Sequence, residues 1–307
     1  FSLGKRQNMS KHRWENDLSG RTEMSEYFMY IAELFAAPFF VRALIVGTLV
    51  SLCSSLLGVS LVLKRYSMIG TGLSNVSFGC VTVAVALNIA PLYISIPVVV
   101  SSSFLLLRIS DNSKIKGDSA IAMISSGAIS IGVMAVYLTS GVTNDVCGYM
   151  FGSVFSLTQS DMVFSAALSV VVIIMFVIFY NRIFAVTFDE NFARATGTNA
   201  GRYNAVIALL TASTIVVGMK MMGTLLISSL IIFPALTSMR LFKSFKIVVV
   251  CSGFLSVFCF FIGMALTVIF EAPAGASVVI AHIAFFLIFS AVSALKKIRK
   301  RSIEINE

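Results

Sequence analysis

The stretch PFFVRALIVGTLVSLCSSLLGVSLVL, residues 38–63, decides the fold class. It is almost wholly apolar, and Lys64 and Arg65 follow it directly. A helix of about 20 such residues crosses roughly 30 Å of hydrocarbon. Further apolar blocks of similar length follow along the chain, without the alternating ten-residue strands that an outer-membrane barrel requires. The chain is therefore predicted to be an all-α polytopic membrane protein.

The composition agrees with this class and limits the kinds of partner that the chain can have. Hydrophobic residues make up 58% of the chain and charged residues only 12%, whereas soluble domains carry about 25% charged residues. The formal net charge of +9 comes from basic residues at the ends of apolar blocks, with no aromatic residues interleaved. That pattern is typical of membrane-protein loops rather than of a nucleic-acid site. We expect membrane lipids around the chain and no nucleic-acid partner.

Nine apolar blocks are predicted to span the membrane. They cover approximately residues 38–63, 72–90, 91–109, 119–138, 162–180, 204–219, 223–239, 247–270 and 276–295. The sixth and seventh blocks are separated by a very short turn, so the chain must reverse its direction within a few residues.

The orientation follows from the Lys and Arg residues of alternate loops, since cytoplasmic loops are enriched in both. One side holds Lys64, Arg65, Arg108, Lys114, Lys116, Arg182, Arg194, Arg202, Arg240, Lys243, Lys246 and the basic residues of 296–301. The opposite loops hold a single basic residue, Lys220. The C-terminus is predicted to be cytoplasmic and the N-terminus outside.

Residues 1–23 do not fit this orientation, because they carry several Lys and Arg residues but are assigned to the outside. They have no apolar core of the kind that a signal peptide needs. We expect them to be a non-native or disordered extension, with translation starting at Met24. Residues 24–302 are predicted to form one transmembrane domain, and residues 303–307 a cytoplasmic tail.

The sequence motifs do not indicate an enzyme. The sequence has no GxxxxGK[ST] phosphate-binding loop and no HExxH zinc motif. Its two histidines are His12, in the extension, and His282, which we interpret as a histidine that is hydrogen-bonded inside the bundle.

A short helix is predicted in the longest cytoplasmic loop, where residues 188–199 read FDENFARATGTN. Asp189 is a candidate N-cap, Glu190 places an acidic group in the first turn, and Gly197 supplies a C-terminal stop. About two turns of helix are marginal alone in water, so this helix is expected to pack against another surface. The alternative is an amphipathic segment on the membrane surface, whose apolar residues would be Phe188, Phe192, Ala193 and Ala195.

A second polar site lies after the first block, where residues 64–79 read KRYSMIGTGLSNVSFG. Gly70 and Gly72 interrupt the apolar pattern there. Thr71 and Asn75 are four residues apart and share a face if the helix begins early. Polar residues at membrane depth are tolerated where they face protein or a water-filled path. The alternative is that they only join neighbouring helices.

Three segments of the sequence resemble a known transporter family. They are KRYSMIGTGLSNVSFG (64–79), DVCGYMFGSVFSLTQSD (145–161) and FDENFARATGTN with the following MMGTLLISSLIIFPALTSMRL (188–199 and 221–241). Their order and spacing, from about Ala36 to Leu295, resemble the ABC-3 group, the permeases of zinc, manganese and iron ABC importers.

The resemblance implies a division of labour between subunits. Two copies of the permease would form a pore in a bacterial cell membrane, and two cytoplasmic ABC ATPase subunits would use ATP to drive it. This chain would bind no cofactor. An extracytoplasmic metal-binding protein would deliver the metal to the outer face, near residues 145–161. The helix that docks into the ATPase would comprise Asp189, Glu190, Phe192, Ala193, Arg194, Ala195 and Gly197.

One departure from the family pattern concerns the cation path. The family motif after the first span reads D-x-[IL]-[SA]-H, and its Asp and His positions are occupied here by Thr71 and Asn75. A carboxylate and an imidazole are good ligands for Zn²⁺ or Mn²⁺, whereas a hydroxyl and an amide carry no charge. The pore then only passes metal selected elsewhere, carries another substrate such as a metal chelate, or belongs to a degenerate subunit. The metal-ligating residues stay unknown.

The main functional hypothesis is therefore a permease subunit of an ATP-driven importer of zinc, manganese or iron. The alternatives are a permease for a metal chelate or other substrate, and a secondary transporter that works without an ATPase. A secondary transporter often has charged residues inside its spans and inverted repeats, and neither is visible. A structural or signalling membrane protein would not need the cytoplasmic helix.

Overall fold

Ten helices form the part of the chain that the computed structural model describes, residues 38–89, 91–112, 117–140, 150, 152 and 159–306. They are α1 (Pro38–Leu63), α2 (Ser67–Ala86), α3 (Pro91–Asn112), α4 (Gly117–Ser140), α5 (Gln159–Ile178), α6 (Tyr180–Phe188), α7 (Glu190–Ala195), α8 (Ala200–Leu241), α9 (Phe245–Phe270) and α10 (Ala274–Asn306). These residues contain no strand. The all-helical prediction is confirmed.

Within these described residues, seven helices are long and apolar enough to cross a membrane. They are α1, α2, α4, α5, α8, α9 and α10. Helix α3 adds a shorter apolar segment, Ile94–Ile109. Helices α6 and α7, with 9 and 6 residues, are too short to span. The chain is an integral membrane protein, as predicted.

Helix α8 folds back on itself near its middle. Its 42 residues are interrupted at Gly223, which has φ 78° and ψ 167°. A Cβ atom added to Gly218 would lie 2.3 Å from Cδ1 of Ile227, although nine residues of straight helix would separate them by about 13.5 Å. The two arms of α8 therefore lie side by side. The short turn predicted between the sixth and seventh apolar blocks is confirmed.

The bundle has an inner and an outer set of helices. Helix α8 packs against α1, α2, α3, α9 and α10. The apolar windows of α1, α2 and α8 are 67%, 67% and 72% buried, against 17% for α4, 22% for α5 and 17% for α10. The last three helices therefore form the periphery, with large apolar side chains on their exposed faces.

Small residues let the inner helices approach closely. A Cβ atom added to Gly58 of α1 would lie 2.0 Å from the carbonyl oxygen of Ile231 in α8. Ser256 of α9 donates a hydrogen bond to the carbonyl oxygen of Ser51 in α1 at 3.0 Å. Close backbone contact and hydroxyl-to-backbone hydrogen bonds are how helices associate where lipid supplies no hydrophobic driving force.

The interruption of the apolar pattern at Gly70 and Gly72 is not a break in the helix. Helix α2 begins at Ser67 and runs through both glycines. Their missing side chains serve packing, since a Cβ atom on Gly70 would lie 3.3 Å from Cδ1 of Ile231 and one on Gly72 would lie 2.6 Å from Cγ2 of Ile121. The glycines are contact points with α8 and α4 rather than a break in the helix.

Two of the predicted segments, residues 1–23 and 303–307, lie at the ends of the chain. The predicted extension, residues 1–23, lies outside the described residues. At the other end, helix α10 continues through residues 303–306 of the predicted tail.

Candidate functional site

Thr71 and Asn75 lie on one face of helix α2, one turn apart. The early start of α2 at Ser67 places both inside the helix, which was the condition for their sharing a face. Both side chains are half-buried, whereas most of their neighbours in α2 are buried. The structure therefore brings the two predicted path residues together on the partly open side of an inner helix.

The contacts of this pair reach helix α4. The Asn75 side-chain amide Nδ2 donates to Oγ of Ser125 at 2.5 Å, and the carbonyl oxygen of Thr71 accepts from Oγ of Ser74 at 2.9 Å. Sequence reasoning did not single out Ser125, because its contact with Asn75 joins residues 50 positions apart. The polar side-chain groups at this point are the hydroxyls of Thr71, Ser74 and Ser125 and the Asn75 amide, all neutral.

The described part of the chain offers no stronger metal site. It contains no group of three or more His, Cys, Asp or Glu residues that could hold a metal ion. A cavity of about 450 Å³ lies next to Asn75 between α2, α3 and α4, but only Cys80 and Ser102 line it with polar side-chain atoms. A bare divalent cation gains no charge compensation from such walls.

The short helix predicted within residues 188–199 is confirmed as α7. Oδ1 of Asp189 accepts a hydrogen bond from the backbone N–H of Phe192 at 2.9 Å, which makes Asp189 the N-cap. Gly197 ends the helix with φ 81°. The N–H of Thr198 bonds to the carbonyl of Ala193 at 2.9 Å and that of Gly197 to the carbonyl of Arg194 at 3.1 Å, which is the Schellman arrangement.

Polar side chains hold α7 against the ends of α1 and α8. Oε2 of Glu190 accepts from Nδ2 of Asn204, in the first turns of α8, at 3.1 Å. It also accepts from Nζ of Lys64, just after α1, at 3.4 Å, and Nζ of Lys64 in turn donates to Oδ1 of Asn204. Oε1 of Glu190 accepts from Arg194 at 2.6 Å. We call Lys64, Glu190 and Asn204 the inner cluster.

The inner cluster keeps Glu190 ionised. Partial burial raises the pKa of Glu190, but the hydrogen bonds from Asn204 and Arg194 and the charge of Lys64 outweigh it and hold the pKa below its usual value. The stabilisation from this carboxylate is present above the unfolded pKa and is lost as the pH falls through the lower folded value. Glu190 is therefore charged at neutral pH.

Helix α7 has one face packed and one face open. Ala193 is buried against Val186 and Ala200. Phe192 and Arg194 point outward, with the Phe192 residue 66% exposed and the Arg194 side chain 62% exposed. The apolar residues predicted to form a single face are thus divided, with Ala193 inward and Phe192 outward. An exposed aromatic side chain beside an exposed guanidinium suits a protein partner.

The opposite end of the bundle has its own ion pair. Nζ of Lys220, next to the turn of α8, donates to Oδ1 of Asp161 in the first turn of α5 at 2.5 Å. We call these two residues the outer pair. Gly152 lies against the same turn, where an added Cβ atom would be 2.2 Å from the backbone carbon of Met222. Most of the predicted outer stretch 140–161 lies outside the described residues.

His282 has the buried position that was predicted for it, with partial hydrogen bonding. It is 1% exposed in α10, and its Nδ1 lies 2.9 Å from the carbonyl oxygen of Val278. Its Nε2 has no hydrogen-bond partner among the described residues. No cluster of metal-ligating side chains surrounds it within that part of the chain, so it is not a candidate metal site.

Known proteins of similar sequence are membrane components of metal transport systems. The zinc uptake membrane protein ZnuB of Haemophilus influenzae is 26% identical over 246 residues, covering 80% of this chain and 94% of the relative. The manganese import permease ScaB of Streptococcus gordonii is 25% identical over 275 residues, covering 90% and 99%. A probable iron transport membrane protein of Haemophilus influenzae is 27% identical over 272 residues, covering 88% and 99%.

Solved structures share the fold. PsaBC from Streptococcus pneumoniae in complex with Fab matches with a TM-score of 0.76 and 24% identity, covering 87% of this chain and 95% of that chain. A putative metal-chelate type ABC transporter in an inward-facing conformation matches with a TM-score of 0.68 and 13% identity, covering 84% of this chain and 88% of that chain. The profile of the ABC 3 transport family matches residues 36–293. The chain belongs to the ABC 3 transport family.

Proposed function

We propose that the chain is the permease subunit of an ATP-driven importer of a divalent transition metal ion, zinc, manganese or iron. The observation that carries the proposal is helix α7, a short capped helix fixed to the ends of two membrane helices with Phe192 and Arg194 facing outward. We place this helix on the cytoplasmic side, because the surrounding loops are rich in Lys and Arg. A secondary transporter has no use for such a docking surface. The names of the relatives support the metal as the cargo.

The proposed topology has nine spans with the N-terminus outside and the C-terminus cytoplasmic. The seven candidate spans become nine when the two arms of α8 are counted separately and α3 is added. An odd number places the two ends of the chain on opposite sides. The basic residues support a cytoplasmic position for the inner cluster, and the outer pair then lies at the far end.

The proposed translocation path passes Thr71 and Asn75, between two copies of the chain. Both residues lie on the partly open side of α2, where a second copy would complete the walls. Their neutral oxygen atoms bind a bare divalent ion weakly, so the path passes metal that the extracytoplasmic binding protein has already selected. A metal chelate is the second candidate cargo, because it brings its own ligands and fits the neutral lining.

The experiment that tests the ATP-driven class is purification of the permease from its native cells with a tag after its C-terminal helix. We expect an ABC ATPase with a phosphate-binding loop to co-purify in equal amount, and ATP hydrolysis in the eluate. A permease that transports metal as a homogeneous protein, without any ATPase, would overturn the proposal in favour of a secondary transporter.

A further inference from the structure

We propose that Lys64 is the positioning residue that carries a movement of helix α7 to helix α2, the helix of the translocation path. This inference rests on the proposed function, because it requires an ATPase that moves α7. It goes further, because it names the side chain through which the docking helix and the path are joined. The contacts of Lys64, its burial and the turn in which it lies carry the argument.

Lys64 is held in place by the docking helix. Its Nζ contacts Glu190 Oε2 at 3.4 Å and Oδ1 of Asn204, and its side chain is only 8% exposed. A buried ammonium group needs its partners, because leaving it uncompensated is strongly unfavourable. When α7 is displaced and carries Glu190 with it, Lys64 must follow or lose its counter-ion.

Lys64 also lies in a rigid turn between α1 and α2. The N–H of Tyr66 bonds to the carbonyl of Leu61 at 2.8 Å, and the N–H of Arg65 bonds to the carbonyl of Val62 at 3.1 Å. Arg65 has φ 63°, so a Schellman motif ends α1 at Lys64. Helix α2 begins three residues after Lys64. A turn this short and fully hydrogen-bonded transmits a displacement rather than absorbing it.

The path residues lie close to this turn along α2. Thr71 is four residues and Asn75 eight residues after Ser67, about 6 and 12 Å along the helix axis. Helix α2 approaches its neighbours closely at Gly70, Gly72 and Gly79, and its buried side chains, among them Leu73 and Phe78, pack in the core. A pull at Lys64 therefore reaches the two path residues through a single continuous helix.

The other contacts of Glu190 in the described part of the chain do not lead to helix α2. Arg194 contacts Glu190 within the same helix, so it steadies the carboxylate without reaching α2. Asn204 belongs to α8 and contacts the cluster as a neutral group. Among the described residues, Lys64 is the charged partner that joins Glu190 to the α1–α2 turn.

The test uses the complete permease–ATPase complex in proteoliposomes with the metal-loaded binding protein. It measures both ATP hydrolysis and uptake of Zn²⁺, Mn²⁺ and Fe²⁺. The readout is the number of metal ions transported per ATP hydrolysed. We expect Lys64→Met to lower this ratio at least fivefold while the complex still assembles and hydrolyses ATP. Glu190→Gln serves as the second variant if Lys64→Met does not fold, and it should lower the ratio in the same direction.

Two controls separate positioning from general damage. Lys64→Arg keeps the charge and should retain most of the ratio, and Arg65→Met removes an exposed charge from the same turn and should leave the ratio unchanged. An unchanged ratio in a folded Lys64→Met or Glu190→Gln complex would overturn the inference alone. A wild-type complex that hydrolyses ATP but moves none of the three metals would overturn the proposed function, and the inference with it.

Discussion

The two ends of this bundle both join a lysine to a carboxylate, but they do so in different ways. The inner cluster links three elements through Lys64, Glu190 and Asn204. The outer pair links two elements through one contact between Lys220 and Asp161. Between them, the pair of polar residues in α2 carries no charge. The charges lie where separate elements meet, and the proposed path is neutral.

This difference indicates what each end does. The Lys64 side chain is 8% exposed, whereas those of Lys220 and Asp161 are 27% and 21% exposed. The inner cluster therefore holds Lys64 more tightly than the outer pair holds Lys220, and it joins helix α7 to the membrane helices. The outer pair fixes the turn of α8 to the start of α5. We interpret the inner cluster as a link that transmits movement and the outer pair as a static tie.

The largest effect is expected when alanine replaces one of two glycines that have a positive φ, one at each end of the bundle. Gly152 and Gly197 have φ 79° and 81°, but an added Cβ atom would meet the backbone of Met222 at 2.2 Å in the first case and open space in the second. We expect Gly152→Ala to destabilise the protein by at least about 3 kcal/mol, because strain and backbone overlap add. Gly197→Ala should cost about 1 kcal/mol from strain alone.

Thermal unfolding of the two alanine variants, purified in the same detergent, measures this difference. Equal shifts of Tm in both variants would show that Gly152 is not packed against the turn of α8.

The second prediction tests the static role of the outer pair. Lys220→Met removes the ammonium group from Asp161, and we expect a loss of about 1 kcal/mol, reduced by solvent screening of this partly exposed pair. The number of metal ions transported per ATP should not change, in contrast to Lys64→Met. Tm and the transport ratio are measured on the same preparations. A fall of the ratio in Lys220→Met comparable to that in Lys64→Met would abolish the distinction between the two ends.

The role of the neutral residues Thr71 and Asn75 can be tested by adding charge at both positions. Thr71→Asp combined with Asn75→His places a carboxylate and an imidazole one turn apart on α2. We expect Zn²⁺ to bind the purified double variant at least tenfold more tightly than the wild type, as measured by calorimetry. The matched control is Thr71→Asn with Asn75→Gln, which adds no charge. Equal affinities in the two variants would remove Thr71 and Asn75 from the proposed path.

The smallest expected effect concerns the open face of α7. Arg194→Glu exchanges a pair worth about 0.3–0.5 kcal/mol for a like-charge contact with Glu190, so the fold should be nearly unchanged. The reversed charge at position 194 would face the ATPase, and we expect a several-fold weaker association with it. The control is Arg108→Glu, an exposed arginine at the end of α3. Quantitative co-purification that is normal for both variants would argue against α7 as the docking helix.

Local features of this chain were predictable from the sequence. The apolar run from Pro38 to Leu63 coincides with α1, because a run of that length has one stable form in lipid. Asp189 and Gly197 delimit α7 through side-chain capping and a positive φ, which depend only on neighbouring residues. The reversal of α8 followed from the very short gap between two span-length blocks.

Contacts between distant parts of the chain were not predictable in the same way. Lys64 lies 126 positions from Glu190 and 140 from Asn204, and Asn75 lies 50 positions from Ser125. Such pairs depend on which helix faces which, and no periodicity in the sequence encodes it. Gly70 and Gly72 show the same limit, because a glycine that breaks a helix and a glycine that lets a neighbour approach read alike.

Import of a transition metal can be measured directly in cells. Cells with and without the gene are grown under metal depletion, and their zinc, manganese and iron contents are measured together by elemental analysis. We expect a selective fall of one metal on deletion, restored by the wild-type gene and not by Lys64→Met. Unchanged contents of all three metals would contradict the claim and turn attention to metal chelates.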